Sequence, residues 1–380
     1  MKKLWIIAGL GILFRVVLSL VTFHPDILVF DLAGKLVASG NILNLYDFSS
    51  SSAVLNYPPA IYLFHGIFSF IFNNVLGFSG FNLLILKLPY LIFDLLTGLI
   101  LLKIFESPKK GFIAFTLWMF NPINLYATYM MGQFDIILSF FIILSILLFL
   151  RGKLSLSALA LGGGIAFKLS PIFLVIPLLI YGKGAGEKMK LFFLALTPYL
   201  LTIIPYLPSY SFRATALLAN QSSKSLYANL PVSGGESILL FPALLLLFYL
   251  IILRSKIKTE IWKLYAIPLL LFFIFTHYHP QWLIWLTPLL ILDLAKYGLR
   301  NWLPITLILF SWFASLFFFD SSLTVGIFTP LFPQLGNLPS IWELLRLSPD
   351  YNLSRSLLQT IFAAAGFYLI YEYFHTKSND

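Results

Sequence analysis

The stretch Phe134 to Leu150 reads FDIILSFFIILSILLFL: a carboxylate near its first residue, then no further charge to its end. A helix of this composition has no polar face to offer water, so it belongs in a large core or in a bilayer. Gly132-Gln133 precede it and Arg151-Gly152-Lys153 follow it. The uncharged length is close to the ~20 residues that cross ~30 Å of hydrocarbon. Comparable runs recur at 4–22, 83–105, 111–130, 154–168, 170–182, 190–207, 236–255, 260–277, 281–296, 301–319 and 354–374. Across the chain 59% of residues are apolar and 11% charged, where soluble domains carry about a quarter charged. The fold class expected is therefore all-α, a polytopic transmembrane helix bundle of about 12 spans. No domain-sized soluble segment, linker or internal repeat stands out, so residues 1–380 form one membrane domain. With no cysteine, disulfides and thiolate metal sites are excluded.

Charge sets the orientation. Most of the 25 Lys and Arg residues fall on one side if 58–77 stays at the interface: Lys2 and Lys3, Lys103 to Lys110, Arg151 and Lys153, Lys183 to Lys190, Arg254 to Lys263, Lys296, Arg300 and Lys377. The positive-inside rule makes that side cytoplasmic, with both termini. It also accounts for the net charge of +10 without invoking nucleic acid. The long polar loops 23–82, 208–235 and 320–353 then lie on the extracytoplasmic or lumenal face, where chemistry is expected. Leu4 to Thr22 follows two lysines like a signal peptide, but Phe23-His24-Pro25 is no cleavage site, and the run is expected to be retained. The short pair 154–168 and 170–182 goes out and returns, turning at Lys168-Leu169-Ser170-Pro171. Irregular backbone at that depth needs a protein or water-filled lining, so this turn is a cavity candidate.

Ionisable side chains inside spans cost roughly 2.5–3.5 kcal/mol each and ask for a partner or a function. They are Arg15, Lys87, Asp94, Asp135, Lys168 and Asp293, with Asp26 and Asp31 just beyond the first run. Asp26, after Pro25, is either a helix cap or a general base at the membrane surface that accepts a proton from a sugar hydroxyl. Asp31 is four residues before Lys35, the spacing of a helical ion pair. Gln133 and Asp135 either cap the span they open or hydrogen-bond sugar hydroxyls in a cavity shared with Asp26. Lys168 either snorkels or meets the phosphate of a lipid head group. In His277-Tyr278-His279-Pro280-Gln281-Trp282 two histidines suggest a metal, but no third ligand is visible; an interfacial aromatic belt, or a surface for sugar or isoprenoid, suits it better. Lys87 and Asp94, seven apart, read as a buried polar stripe with an internal ion pair or helix–helix hydrogen bond. Asn121-Pro122 marks a kink.

In order along residues 10–290 these elements resemble the polytopic glycosyltransferases of the GT-C class, and most closely the first mannosyltransferase of GPI-anchor assembly and its prokaryotic relatives. The matching positions are Asp26-Ile-Leu-Val-Phe30 with Ala33 and Gly40, Tyr57-Pro58-Pro59, Phe93-Asp94-Leu95-Leu96-Thr97 and Asn121-Pro122. Gly132-Gln133-Phe134-Asp135, Phe167-Lys168-Leu169-Ser170-Pro171 and Gln281-Trp282-Leu283-Ile284-Trp285 continue the series. Family relatives often carry Asp-x-Asp in the first loop; here His24 stands two before Asp26. The resemblance implies an inverting transferase that moves a sugar, mannose by analogy, from a polyprenyl-phosphate donor to a glycolipid or other lipid-linked hydroxyl on the outer face. Asp26 would act as base. Lys168, Asp135, Gln133, Gln281, Tyr57 and His279 would bind substrate, with no metal or cofactor. Residues 1–300 would be the GT-C-like module and 301–380 additional spans. A transporter or flippase is the main alternative, since broken helices and intramembrane charges also line transport paths; an assembly subunit is a third.

Overall fold

The computed structural model describes residues 2–48, 54–78, 80–219, 223–254 and 259–375; the basic residues Lys256, Lys258 and Lys377 lie outside them. Helices dominate because apolar runs with few charges can satisfy their backbone only internally in lipid. They are α1 (Lys2–Val21), α2 (Asp26–Ala38), α3 (Pro59–Ser69), α4 (Leu83–Lys87), α5 (Tyr90–Lys103), α6 (Pro108–Met119) and α7 (Ile136–Leu150). Then follow α8 (Leu154–Phe167), α9 (Val175–Leu179), α10 (Gly184–Ile203), α11 (Leu240–Arg254), α12 (Ile261–Phe275), α13 (Thr287–Tyr297), α14 (Trp302–Leu316) and α15 (Tyr351–His375). A hairpin, β1 (Asn229–Pro231) against β2 (Ser237–Leu239), pairs Leu230 with Ile238.

Four continuous helical runs are long and apolar enough to cross a membrane, namely Lys2–Val21, Gly184–Tyr206, Thr287–Leu316 and Tyr351–His375; five further apolar helices are shorter. The run Thr287–Leu316 is not straight. Gly298 takes φ 64° between α13 and α14, and Trp312 of α14 donates to Pro280 O, in the turn before α13, at 2.9 Å. The outward faces keep large apolar side chains exposed, among them Trp5, Leu13 and Phe14 on α1 and Leu357, Phe367 and Tyr371 on α15. Apolar surface on this scale belongs against lipid; the chain is a membrane protein.

The expected breaks occur where proline dictates. Asn121 caps the turn Pro122–Asn124 through Asn124 N, and a wider turn, Leu125–Met130, follows, so the run 111–130 is not one helix. Lys168 is extended (φ −160°, ψ 136°) at the end of α8, and the chain resumes as a 3-10 turn, Ser170–Leu174. α3 lies along α2, where a Cβ on Gly66 would meet Val37 Cγ1 at 2.1 Å; only glycine permits that approach.

Arg15, Lys87 and Asp94 are buried in polar networks that tie helices together. Arg15 and Asp94 pair at 2.5 Å, and Asp94 also accepts from Trp118, Asn124 and Tyr129 at 2.7, 2.9 and 2.6 Å. Lys87 lies two turns from Asp94 and does not pair with it; its ammonium donates to Thr22 O and Tyr129 O at 2.7 Å each. The helix–helix hydrogen bonding expected of the stripe is present with different partners. Asp31 pairs with Lys35 at 2.7 Å, as its spacing required.

The three long loops meet at one end. Phe23 N donates to Ile327 O at 2.7 Å, Ser209 Oγ to Asp47 at 3.0 Å and Thr215 Oγ1 to Leu55 O at 2.9 Å. At the other end Glu260 binds Lys296 at 2.5 Å and Tyr297 at 2.8 Å, Arg300 binds Glu372, and Asn301 binds Asp293 at 2.9 Å.

Candidate active site

Asp26 begins α2 without capping it: its carboxylate makes no bond to the helix's free N–H groups. Instead Oδ2 accepts from Gln133 Nε2 at 2.7 Å, and half of the side chain stays exposed. The bond depends on Gly132, whose φ is 69° and whose absent Cβ would stand 2.9 Å from Ile27 Cδ1 of α2. A left-handed residue without a side chain therefore turns Gln133 toward Asp26. His24 Nδ1 lies 3.7 Å from the same carboxylate and accepts the Asp26 N–H at 3.3 Å. Burial lowers the His24 pKa against the pull of Asp26 and Asp320, so the ring beside Asp26 is neutral.

Asp135 likewise precedes its helix, α7, without capping it. Its Oδ1 accepts from Lys168 Nζ at 2.8 Å and from Trp285 Nε1 at 2.7 Å. Both ions are buried. The ammonium is enclosed by four aromatic rings: Tyr57 and Phe134 at 5.3 and 5.4 Å, Trp282 and Trp285 at 4.8 Å each. Cation–π attraction of about 0.5–2 kcal/mol per ring offsets part of its desolvation. Asp135 Oδ2, Gln133 Oε1, Ser170 Oγ and Gln281 Oε1 are buried with no partner among the described residues. Buried polar atoms are normally paired, so such a concentration marks a place for a polar ligand. A cavity of about 280 Å³ opens here, lined by Tyr57, Lys168, Ser170, Tyr199, Trp282 and Trp285 among others.

Lys224, from the loop 208–235, joins the cluster. Its Nζ lies 3.1 Å from His279 Nε2 and 5.7 Å from the Trp282 ring centre. An ammonium can only donate, so His279 Nε2 accepts. Burial, then Lys224, His277, Lys168 and His24, hold the His279 pKa down to about 4. Gln133, which holds Asp26, and Asp135, which holds Lys168, are two residues apart, so the two pairs are joined through one short segment. The first loop, the α8 break, the 208–235 loop and the His277–Trp285 segment meet through Tyr57, Lys168, Lys224, His279 and Trp282.

Of the residues singled out by sequence, Asp26 with Gln133, and Asp135 with Lys168 and Tyr57, are joined by direct contacts. His279 connects through Lys224. Gln281 is buried in the 3-10 turn Pro280–Trp285 and makes no bond to the others. Lys224 and the ring contacts of Phe134 and Trp285 were not legible. A lysine left on the outer side of a chain whose basic residues gather inside was the available signal for Lys224.

No family model matches the chain. Over 98 residues it is 32% identical to GPI mannosyltransferase 1 of Kluyveromyces lactis. Over 98 residues it is 30% identical to GPI mannosyltransferase 1 of Saccharomyces cerevisiae. Over that stretch the chain is similar to the GPI mannosyltransferases. The matched part is 25% of this chain and 24% of each of these proteins, so the chain spans about a quarter of the length of the curated relatives it matches. Here an ammonium held by a carboxylate lines an aromatic cavity, and a second carboxylate, held by an amide, is joined to it through the Gln133–Asp135 segment. That pairing of charges can serve an acceptor hydroxyl and a departing anion.

Proposed function

We propose that the chain is a GT-C-type glycosyltransferase that moves a sugar, mannose in the first instance, from a polyprenyl phosphate to a hydroxyl of a glycolipid or other lipid-linked acceptor. Catalysis takes place on the extracytoplasmic or lumenal face. The observation that carries this reading is that one short segment holds both groups, Gln133 bonding a half-exposed Asp26 and Asp135 a buried Lys168. In the scheme, Asp26 takes the acceptor's hydroxyl proton as its oxygen attacks the anomeric carbon. The bond from that carbon to the phosphate oxygen breaks on the opposite face, which inverts the configuration, and polyprenyl phosphate leaves with the electron pair. Asp26 then loses its proton to water.

Lys168 meets the departing charge. Its ammonium has three N–H groups, of which Asp135 uses one, so further donors remain for phosphate oxygens. Asp135 keeps the lysine in place, and Gln133 orients Asp26. Tyr57, Trp282 and Trp285 offer ring faces to sugar or isoprenoid; His279 and Gln281 contribute polar edges. The scheme uses no metal or cofactor. It places both termini in the cytoplasm, with residues 1–380 as one domain of about 12 passes whose first 300 residues carry the catalytic module.

The test is transfer of radiolabel from polyprenyl-phosphate sugars into extractable product by membranes containing the protein. Asp26→Asn is expected to cut transfer at least 100-fold, within the usual range for a lost general base, with insertion and melting temperature unchanged. Near-normal turnover in that variant removes Asp26 as the base.

A further inference from the structure

A second cavity, of about 380 Å³, lies at the same end of the molecule, between the outer ends of α12, α14 and α15. Its volume is in the range of small-ligand sites. Three polar atoms in its wall are buried without a partner among the described residues: Thr276 Oγ1, Ser311 Oγ and Arg355 Nε. Thr276 and Ser311 are each 2% exposed. Thr276 is extended just past the end of α12, and its hydroxyl makes no bond to the helix's carbonyls among the described residues. Other polar wall groups are already engaged: Ser315 with Trp312 O, Ser356 with Asn352 O, and Gln359 with Phe273 O and Ile274 O.

Two hydroxyls and one guanidinium N–H in the wall are therefore unpaired among the described residues, and the Tyr278 side chain also lines it. Arg355 is held by Phe318 O and lies over the Phe319 ring at 4.6 Å, which fixes its plane and leaves Nε to serve the cavity. No lining residue is a carboxylate, and His277 stands at the rim. Convergent donors around a fixed cation, with no competing anion, suit the oxygens of a phosphate. Phe313, Leu353 and Leu357 are exposed nearby on α14 and α15, a surface against which acyl chains can lie.

We propose that this cavity binds a phosphate group, carried by a lipid head, through Arg355, Thr276 and Ser311, separately from the site around Asp26 and Lys168. The proposal stands without the transferase reading, because it is tested by binding and not by turnover. Purified full-length protein in detergent is titrated with dioctanoyl phosphatidic acid, dioctanoylglycerol and inorganic phosphate. Phosphatidic acid is expected to bind wild type and Asp26→Asn equally, and dioctanoylglycerol at least tenfold more weakly. Thr276→Val/Ser311→Ala is expected to weaken phosphatidic acid at least tenfold while melting like wild type, and Arg355→Gln to weaken it further. Inorganic phosphate binding as tightly as phosphatidic acid, with the same loss in the variants, keeps the phosphate site and assigns it to a soluble anion. Undiminished binding in Thr276→Val/Ser311→Ala, equal affinity for dioctanoylglycerol, or no binding of either phosphate compound overturns it.

Discussion

The ion pair of Lys168 and Asp135 combines support and chemistry, and substitutions can separate the two. A buried pair that loses one member leaves an uncompensated charge, at a cost of about 3–5 kcal/mol. Lys168→Met should therefore lower the melting temperature and weaken donor use together. Lys168→Met/Asp135→Leu removes both charges and should recover most of the melting temperature, while transfer stays at least tenfold down. Recovery of transfer in the double variant would leave Lys168 only a packing role. His279 gives a pH signature. Its pKa is about 4 when folded against about 6.5 when free, so the unfolded chain takes up the proton first as pH falls. The stability tied to this ring is complete above about pH 6.5 and is lost as pH drops toward 4. His24, also lowered, acts in the same direction. His279→Gln should flatten the fall in melting temperature over that interval; an unchanged slope would show that this ring does not set it.

Two carboxylates begin helices, and helix-start position alone left capping and site roles open for both Asp26 and Asp135. The decision lay in distant elements: Gln133 is 107 positions from Asp26, and Trp285 is 150 from Asp135. Local spacing, by contrast, sufficed for Asp31 with Lys35, for the kink at Asn121-Pro122 and for the break at Lys168. It read Lys87 and Asp94 as one buried polar stripe, and both are buried and bond Tyr129, but it could not supply Arg15, 79 residues away, as the partner of Asp94. Arg15→Met should destabilise by about 3–5 kcal/mol and leave the donor KM of the folded fraction unchanged; a shifted KM would draw that network into the site. Gly132 is the element-scale control on Asp26. Gly132→Ala forces a side chain into left-handed backbone, worth about 1–2 kcal/mol, and against Ile27. Transfer is expected to fall severalfold through kcat as Gln133 leaves Asp26, and unchanged kcat would show that Asp26 needs no orienting amide.

At the scale of the molecule, composition and apolar runs were enough for an all-α membrane protein, because lipid leaves helices few alternatives. Among the described residues four runs are long enough to cross and five apolar helices are shorter; the run 111–130 breaks at Asn121-Pro122 and the stretch 154–182 at Lys168. The meeting of the loops 23–82, 208–235 and 320–353 was legible as sidedness from the basic residues, but their contacts were not. Lys224 and the Arg355 cavity arise from those contacts, which no spacing encodes. The central claim is that Asp26 and Lys168 border one water-accessible pocket facing away from the cytoplasm. It is testable because the chain has no cysteine. Asp26→Cys and Tyr57→Cys, made singly, are treated with a membrane-impermeant maleimide in right-side-out vesicles, with and without added polyprenyl phosphate. Both should label from outside, and the lipid phosphate should slow labelling at 57. Labelling that requires permeabilised vesicles, or a rate at 57 indifferent to polyprenyl phosphate, would contradict it.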